Sequence, residues 1–377
     1  MASFLTKCKD KYISFRGFHT KRHLIVIESD DWGSIRTPSA DIFHRLQEIG
    51  DHPEKDAFLS NDCLEKEADL SALFDVLTSV RDKNGSPAIV TANFAMANPN
   101  FDKIDLKNGE YYYEPFYQTY RKYYSTQNVL SCVQEGINEK CFMPQLHCRE
   151  HMNVNRWIRD LACRKKDTVI AFQNHMIGIG ASFSKENPFG YMDAFNSNFS
   201  THSDLSKILR EAMDIFKLVF GKISETFVAS CFVWDGALEK TLYEIGVRGI
   251  QSGAWQNVPC GMDYDNAFRR RLHYLGQKNR FNQIYTVRNC TYEPAYRQNP
   301  KESMEVCFKQ ILEAFKNRKP AIINSHRFNY IRSINPFNSE ANLAWLNNLL
   351  HTIVKQIPDV EFVSTAKLIE IMNQKEK

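Results

Sequence analysis

Three short stretches hold the residue types that run hydrolytic chemistry. "HLIVIESDDWGSIR", residues 23–36, drives an apolar run into Glu28, Ser29, Asp30 and Asp31. "PQLHCREH", residues 144–151, sets His147 and His151 four apart. "INSHRFNY", residues 323–330, ends another apolar run in His326. Adjacent carboxylates repel, so a cation, a shared proton or open solvent must offset them. Histidines at i and i+4, on a helix or a tight turn, share a face and can bite one cation. Two histidines and an aspartate, with positions left open for water, are the usual make-up of a catalytic divalent site. One member of the 30–31 pair can then ligate the cation while the other takes a proton from the attacking water. A histidine across the site suits the protonation of a leaving group, and His326 is the candidate.

Elements must bring these stretches together. Strand-like runs fall at 23–28, 87–93, 141–146, 168–172, 226–232, 247–251, 320–324 and 360–363. One-face apolar patterns between them predict helices over 68–83, 204–220, 303–317 and 340–357. Strands alternating with helices argue an α/β fold, either a parallel barrel or a doubly wound sheet. Functional side chains in such folds gather beyond the C-terminal ends of the strands, which is where all three stretches carry their polar residues. The fourth run leads to His175 and the fifth to Trp234 and Asp235.

The bulk composition sets bounds. The 377 residues are 43% apolar and 24% charged, which fits a packed core and excludes a disordered chain. One elaborated domain over 1–377 is the simplest organisation, with a core over about 20–370. Its surplus length lies in connections near 101–124, 180–202 and 256–300. The formal net charge is +4, and residues 1–23 alone carry Lys7, Lys9, Lys11, Arg16, Lys21 and Arg22 against Asp10. With Phe4, Leu5, Ile13, Phe15 and Phe18 nearby, that segment could touch an anionic membrane surface weakly. No signal-like apolar run follows these charges, and no stretch approaches the ~20 apolar residues of a membrane span. Ten scattered cysteines without a CxxC pair read as reduced thiols, so a cytoplasmic location is expected. A nucleic-acid partner is not expected: the basic residues form two separate patches and no binding motif accompanies them.

The order Asp-Asp, HxxxH and a late strand ending in His resembles the polysaccharide deacetylase family, also called the NodB-homology or carbohydrate esterase family 4 domain. The segment "TFVASCFVWDGALEKTLYEIGVRGIQS" is also similar to that family's strand–helix–strand unit. The resemblance implies a distorted (β/α)7-8 barrel with long loop insertions, and removal of acetyl groups from amino sugars with one divalent metal ion. Zinc is the first choice, with cobalt, nickel and iron as the others. It implies Asp30 as the base, Asp31, His147 and His151 as metal ligands, and His326 as the acid. Several family features are missing. Cys148 replaces a hydroxyl residue, the turn at 231–235 lacks an arginine to orient the base, and no DxxDW follows the sixth strand. Arg149, Asp235, Arg327 and Asn329 are the candidates to replace those supports and to contact substrate. Trp32 and Trp234 could stack on a sugar ring. The basic stretch 268–280, with Arg269, Arg270, Arg271, Lys278 and Arg280, could meet a phosphate or uronate.

The expected function is a metal-dependent deacetylase acting on a carbohydrate or sugar precursor. Two readings stand beside it: hydrolysis of a non-peptide C–N bond on a non-sugar substrate, and a carbohydrate-binding barrel without activity. A two-carboxylate glycosidase is less expected, because adjacent carboxylates on one strand point to opposite sides.

Overall fold

The computed structural model describes residues 15–105, 109–182, 188–261 and 268–374. The apolar positions 4, 5 and 13 and the lysines 7, 9 and 11 of the basic opening segment lie outside the described residues. Among the described residues no helix is long and apolar enough to cross a membrane.

Strand β1, His23–Trp32, carries Leu24, Ile25, Val26 and Ile27, all 2% exposed or less. A strand buried on both faces calls for a parallel sheet covered by helices. Its neighbours are β2 (Val90–Ala95) and β12 (Ala321–His326), both parallel to it. The sheet continues beyond β2 through β5 (Phe142–Cys148), β6 (Thr226–Val228), β7 (Gly249–Ser252) and β10 (Ile284–Val287). On the other side β12 leads to β11, Cys290–Thr291. A last strand, β13 (Val360–Phe362), pairs with His23–Ile25 of β1. Because β12 already fills one edge of β1 there, β13 shares the other edge with β2.

The two edge strands of this sheet, β10 and β11, are separated in the chain by Arg288 and Asn289 alone. Consecutive Cα atoms lie about 3.8 Å apart, so the two edges must come within roughly 10 Å of each other. The sheet is therefore curled into a distorted barrel, with Arg288–Asn289 as its seam. The seam is bonded on both sides. Arg288 N–H donates to the Ser252 carbonyl on β7 at 3.0 Å, and Asn289 N–H donates to the Ile322 carbonyl on β12 at 3.0 Å. The Asn289 amide side chain adds bonds to Pro320 O (2.9 Å) and from Ile322 N–H (2.8 Å).

Helices Glu67–Thr78, His202–Phe220, Pro300–Lys316 and Pro336–Gln356 occupy the stretches with helical periodicity. Each buries its apolar stripe, such as Leu70, Leu73, Phe74 and Leu77 on the first, in one cluster with the strands. The expected strand over 168–172 is not one. Lys166–Gln173 is a helix that buries Thr168 and Ala171, three apart. Its β-branched run was too short to separate strand from helix, and packing beside helix Val154–Ala162 decided it. Seven of the expected strand runs do contain strands, although the fifth stops at Val228 and turns through Ser230–Phe232. Strands β10 and β11 fall inside the stretch expected to be an insertion.

Candidate active site

At the C-terminal end of the sheet lies a cavity of about 440 Å³. Of the residues singled out from sequence, Asp30, Asp31, His147, His151 and His326 line it. Parallel pairing accounts for part of this, since Asp30 stands opposite His326 in the β1–β12 register. Ordinary strand geometry would turn Asp31 to the far face from Asp30. Instead the β1–β2 register slips between Ser29 and Trp32, and Asp31 takes a left-handed backbone with φ of 77°. This bulge brings both carboxylates to one cavity, which corrects the expectation that the pair must face opposite ways. Positive φ is uncommon outside glycine, though aspartate tolerates it better than most, and such outliers cluster at functional sites.

Asp31, His147 and His151 offer ligand atoms within 4.8 Å of one another, all three residues buried. His147 comes from the end of β5, and His151 from the turn that follows it. The Nδ1–H of His147 donates to the Val228 carbonyl at 2.8 Å, which leaves Nε2 bare in the neutral ring. That Nε2 is buried without a hydrogen-bond partner and lies 3.4 Å from Asp31 Oδ1. His151 Nε2 lies 3.0 Å from the same oxygen. Burial alone would raise the Asp31 carboxyl, but the facing His151 and His147 hold it well below its usual range. Two imidazole nitrogens converging on one buried carboxylate oxygen fit a divalent cation.

Asp30 is held differently. Both of its oxygens accept from Arg288, Nη2 to Oδ1 and Nη1 to Oδ2, each at 2.7 Å, and Asn93 donates to Oδ1 at 2.7 Å. Arg288 also donates Nε–H to Glu28 at 2.7 Å. Burial pushes Asp30 up, yet Arg288 prevails and lowers it to about 2, so it is a carboxylate at neutral pH. Glu28 is raised by its burial, which outweighs the downward pull of Arg288. His326 Nδ1 faces Glu293 Oε1 at 2.6 Å. Burial works to discharge this imidazole, but Glu293, with help from Asp31 and Asp30, raises it to about 9. Glu293 is itself fixed by Asn324 (2.9 Å) and Asn329 (2.7 Å).

The structure thus places an arginine on the 30-position carboxylate and a glutamate on the late histidine, in roles that the sequence left without residues. Arg288 sits at the end of "IYTV", a run of strand-forming residues whose signal was there to read. Glu293 follows a two-residue strand, which leaves no pattern to find.

The six residues expected at the substrate lie elsewhere. Trp32 is 1% exposed, donates to Ser29 Oγ at 3.0 Å and packs on Phe142. Trp234 is fully buried over His273. Arg327 is fully buried between Asp62 and Glu65, at 2.8 and 2.6 Å. Arg149 pairs with Glu150 and Glu211 over the Tyr113 ring. Asp235 caps helix Gly236–Glu244 and pairs with His202 at 2.7 Å. Asn329 is buried and acts on Glu293. Adjacency to a motif does not turn a side chain into the cavity: four of these pack or pair within the protein, Asp235 caps a helix, and Asn329 holds Glu293. The aromatic rings that do line the cavity are Phe58, Phe189, Phe232 and Tyr296. His175 is remote, stacked on Phe101.

No family model matches the chain, and no curated protein matches it. Among solved structures, peptidoglycan deacetylase PdaC from Bacillus subtilis is 9% identical with a TM-score of 0.38, over 94% of each chain. Puue allantoinase is 8% identical with a TM-score of 0.45, over 94% of this chain and 93% of that one. The 4-alpha-glucanotransferase from Thermococcus litoralis is 8% identical with a TM-score of 0.46. The match covers 93% of this chain but only 40% of the glucanotransferase. Likeness at this level says nothing about activity.

Proposed function

We propose that this protein is a metal-dependent hydrolase that removes an acetyl group from an amino sugar or another glycan. The observation that carries the reading is the grouping in one cavity of the Asp31–His147–His151 cluster, the Arg288-held Asp30 and the Glu293-held His326. A divalent cation, with zinc the first candidate, held by the cluster would supply Lewis-acid polarisation of an acyl oxygen and acidification of water. Asp30 stays ionised at neutral pH, orients the attacking water and takes its proton. Arg288 makes Asp30 a weak base but fixes its oxygens in place. His326 stays protonated at neutral pH and gives its proton to the departing amine or alcohol. Glu293 holds that ring and its charge. Phe58, Phe189, Phe232 and Tyr296 give apolar faces on which a sugar ring can stack.

The test is elemental mass spectrometry of wild type beside the His147→Ala/His151→Ala double variant, followed by acetate release from acetylated sugars. About one equivalent of metal in wild type, lost in the variant, together with acetate release, is the expected result. Metal without acetate release, but with turnover of a cyclic amide, would move the reading to a C–N bond on a non-sugar substrate. No metal after reconstitution would leave a binding barrel.

A further inference from the structure

Two cations on the cavity wall, Arg36 and Lys55, lack a close carboxylate partner within the protein. Asp30 is taken by Arg288 and Asn93, and His326 by Glu293. Asp56 uses Oδ1 to accept from the N–H groups of Phe58 and Leu59, at 2.8 and 3.0 Å, capping helix Ala57–Asn61. Arg36 lines the cavity and is only 9% exposed, yet its guanidinium is poorly met. Its nearest acceptors are the Met192 thioether sulfur at 2.8 Å and carboxylate oxygens of Asp31 at 3.5 Å and Asp62 at 3.7 Å. Guanidinium–carboxylate bonds are ordinarily about 2.7–2.9 Å, and the group has five N–H donors to place. A soft sulfur and two long carboxylate contacts satisfy a buried guanidinium less well than a close anion would. Lys55, exposed at the end of turn Pro53–Lys55, lines the same cavity and meets no carboxylate within 4.0 Å among the described residues. Phe58, three residues after Lys55, has its ring 5.1 Å from the Arg36 guanidinium carbon and its own place in the cavity wall.

We propose that the substrate carries an anionic group, a carboxylate or a phosphate, which Arg36 and Lys55 receive beside the reacting position. The proposal rests on the hydrolase reading for what the substrate is, but the anion site stands on these side chains alone. It moves the anion contact away from the 268–280 stretch. Arg269, Arg270 and Arg271 stand exposed on a hairpin strand, Phe268–Leu272, and none of them lines the cavity. A neutral sugar would leave both cations as they are. An anion at this wall gives Arg36 the close acceptor it lacks and gives Lys55 its only ion pair. A charge-assisted hydrogen bond contributes enough to change affinity by about tenfold.

The test measures calorimetric binding of three probes to the metal-loaded full-length protein and to Lys55→Gln. The probes are N-acetylglucosamine, its 1-phosphate and N-acetylglucosaminuronic acid, and acetate release is assayed on the same mixtures. At least one anionic probe is expected to bind about tenfold tighter than the neutral one, and Lys55→Gln to remove most of that preference. The probe that gains distinguishes phosphate from carboxylate. Equal binding of all three, binding of none, or a preference undiminished in Lys55→Gln overturns the proposal. The last result would assign the anion to the metal cluster. Anion-selective binding without acetate release upholds the anion site and sinks the deacetylase reading. Acetate release without anion preference does the reverse.

Discussion

Asp30 and His326 face each other across one pair of strands, and in each the pull of one chief partner prevails over burial. Arg288 lowers the first and Glu293 raises the second, so both are charged over the neutral range. The proposed activity should therefore have an alkaline limit. His326 can donate a proton below its value of about 9 and loses it as the pH rises through that point. Replacing Glu293 with glutamine removes the main group that raises it, so the alkaline limb of kcat/KM should move to lower pH while the metal content stays at wild-type level. An unmoved limb would mean that another group sets it. The same histidine bears on stability. Its folded value lies above its ordinary 6.5, so its contribution is full below about 6.5 and is lost as the pH passes about 9. Arg288→Lys keeps one positive charge but loses the fork that grips both oxygens of Asp30. Turnover should fall by about two orders of magnitude with metal still bound, as checked by steady-state kinetics beside elemental analysis. Positions 30, 31, 147, 151 and 326 could be read from sequence as one cavity cluster, because each ends an apolar run or has its own spacing. Their partners are harder to place: Arg288 ends the strand-forming "IYTV" and Glu293 follows a two-residue strand, but only the closed sheet brings them near positions 30 and 326.

At the scale of an element, the decisive feature is the irregular end of β1. A regular strand would bury one of its two terminal aspartates away from the other, and the bulge with left-handed Asp31 prevents this. Gly33, two residues on, also has positive φ, 76°, and a Cβ there would meet the Ala95 carbonyl oxygen at 2.7 Å. Gly33→Ala therefore strains the turn that follows the bulge. It should destabilise the fold by upwards of ~1 kcal/mol in chemical denaturation and weaken metal retention on dialysis against chelator. Full retention would show that the bulge is held without Gly33. The "DDWG" text shows two acids and a glycine, but nothing in it signals a slip of register. That slip depends on pairing with Phe94 of a strand some sixty residues away. Helix Lys166–Gln173 departs from expectation for the same reason: its local composition favours a strand, and its neighbours make it a helix.

Across the whole molecule, the curled sheet closes along one line, where β10 passes into β11. Asn289 ties that line to β12 with two side-chain bonds. Asn289→Ala leaves a carbonyl and an N–H without those partners, at roughly 1–3 kcal/mol for a buried group. The Ile322 amide should then exchange with deuterium faster than its neighbours on β12, and the urea midpoint should fall. Uniform exchange along β12 would mean that the seam is not a separate point of opening. Sequence periodicity showed that strands and helices alternate, but it could not show where the sheet closes, because two-residue strands and a two-residue seam carry no period. The order of the strands has a consequence for how the chain is made. β1 lies between β2 on one side and β12 on the other, and roughly 290 residues separate the end of β1 from the start of β12. At ~5–20 residues per second, a ribosome needs about 15–60 s to deliver the missing neighbour. Through that interval the edge of "LIVI" that β12 will cover is bare, and the His23–Ile25 edge that β13 will cover is bare for longer still. Any stalled product ending before residue 321 carries an open, aggregation-prone strand.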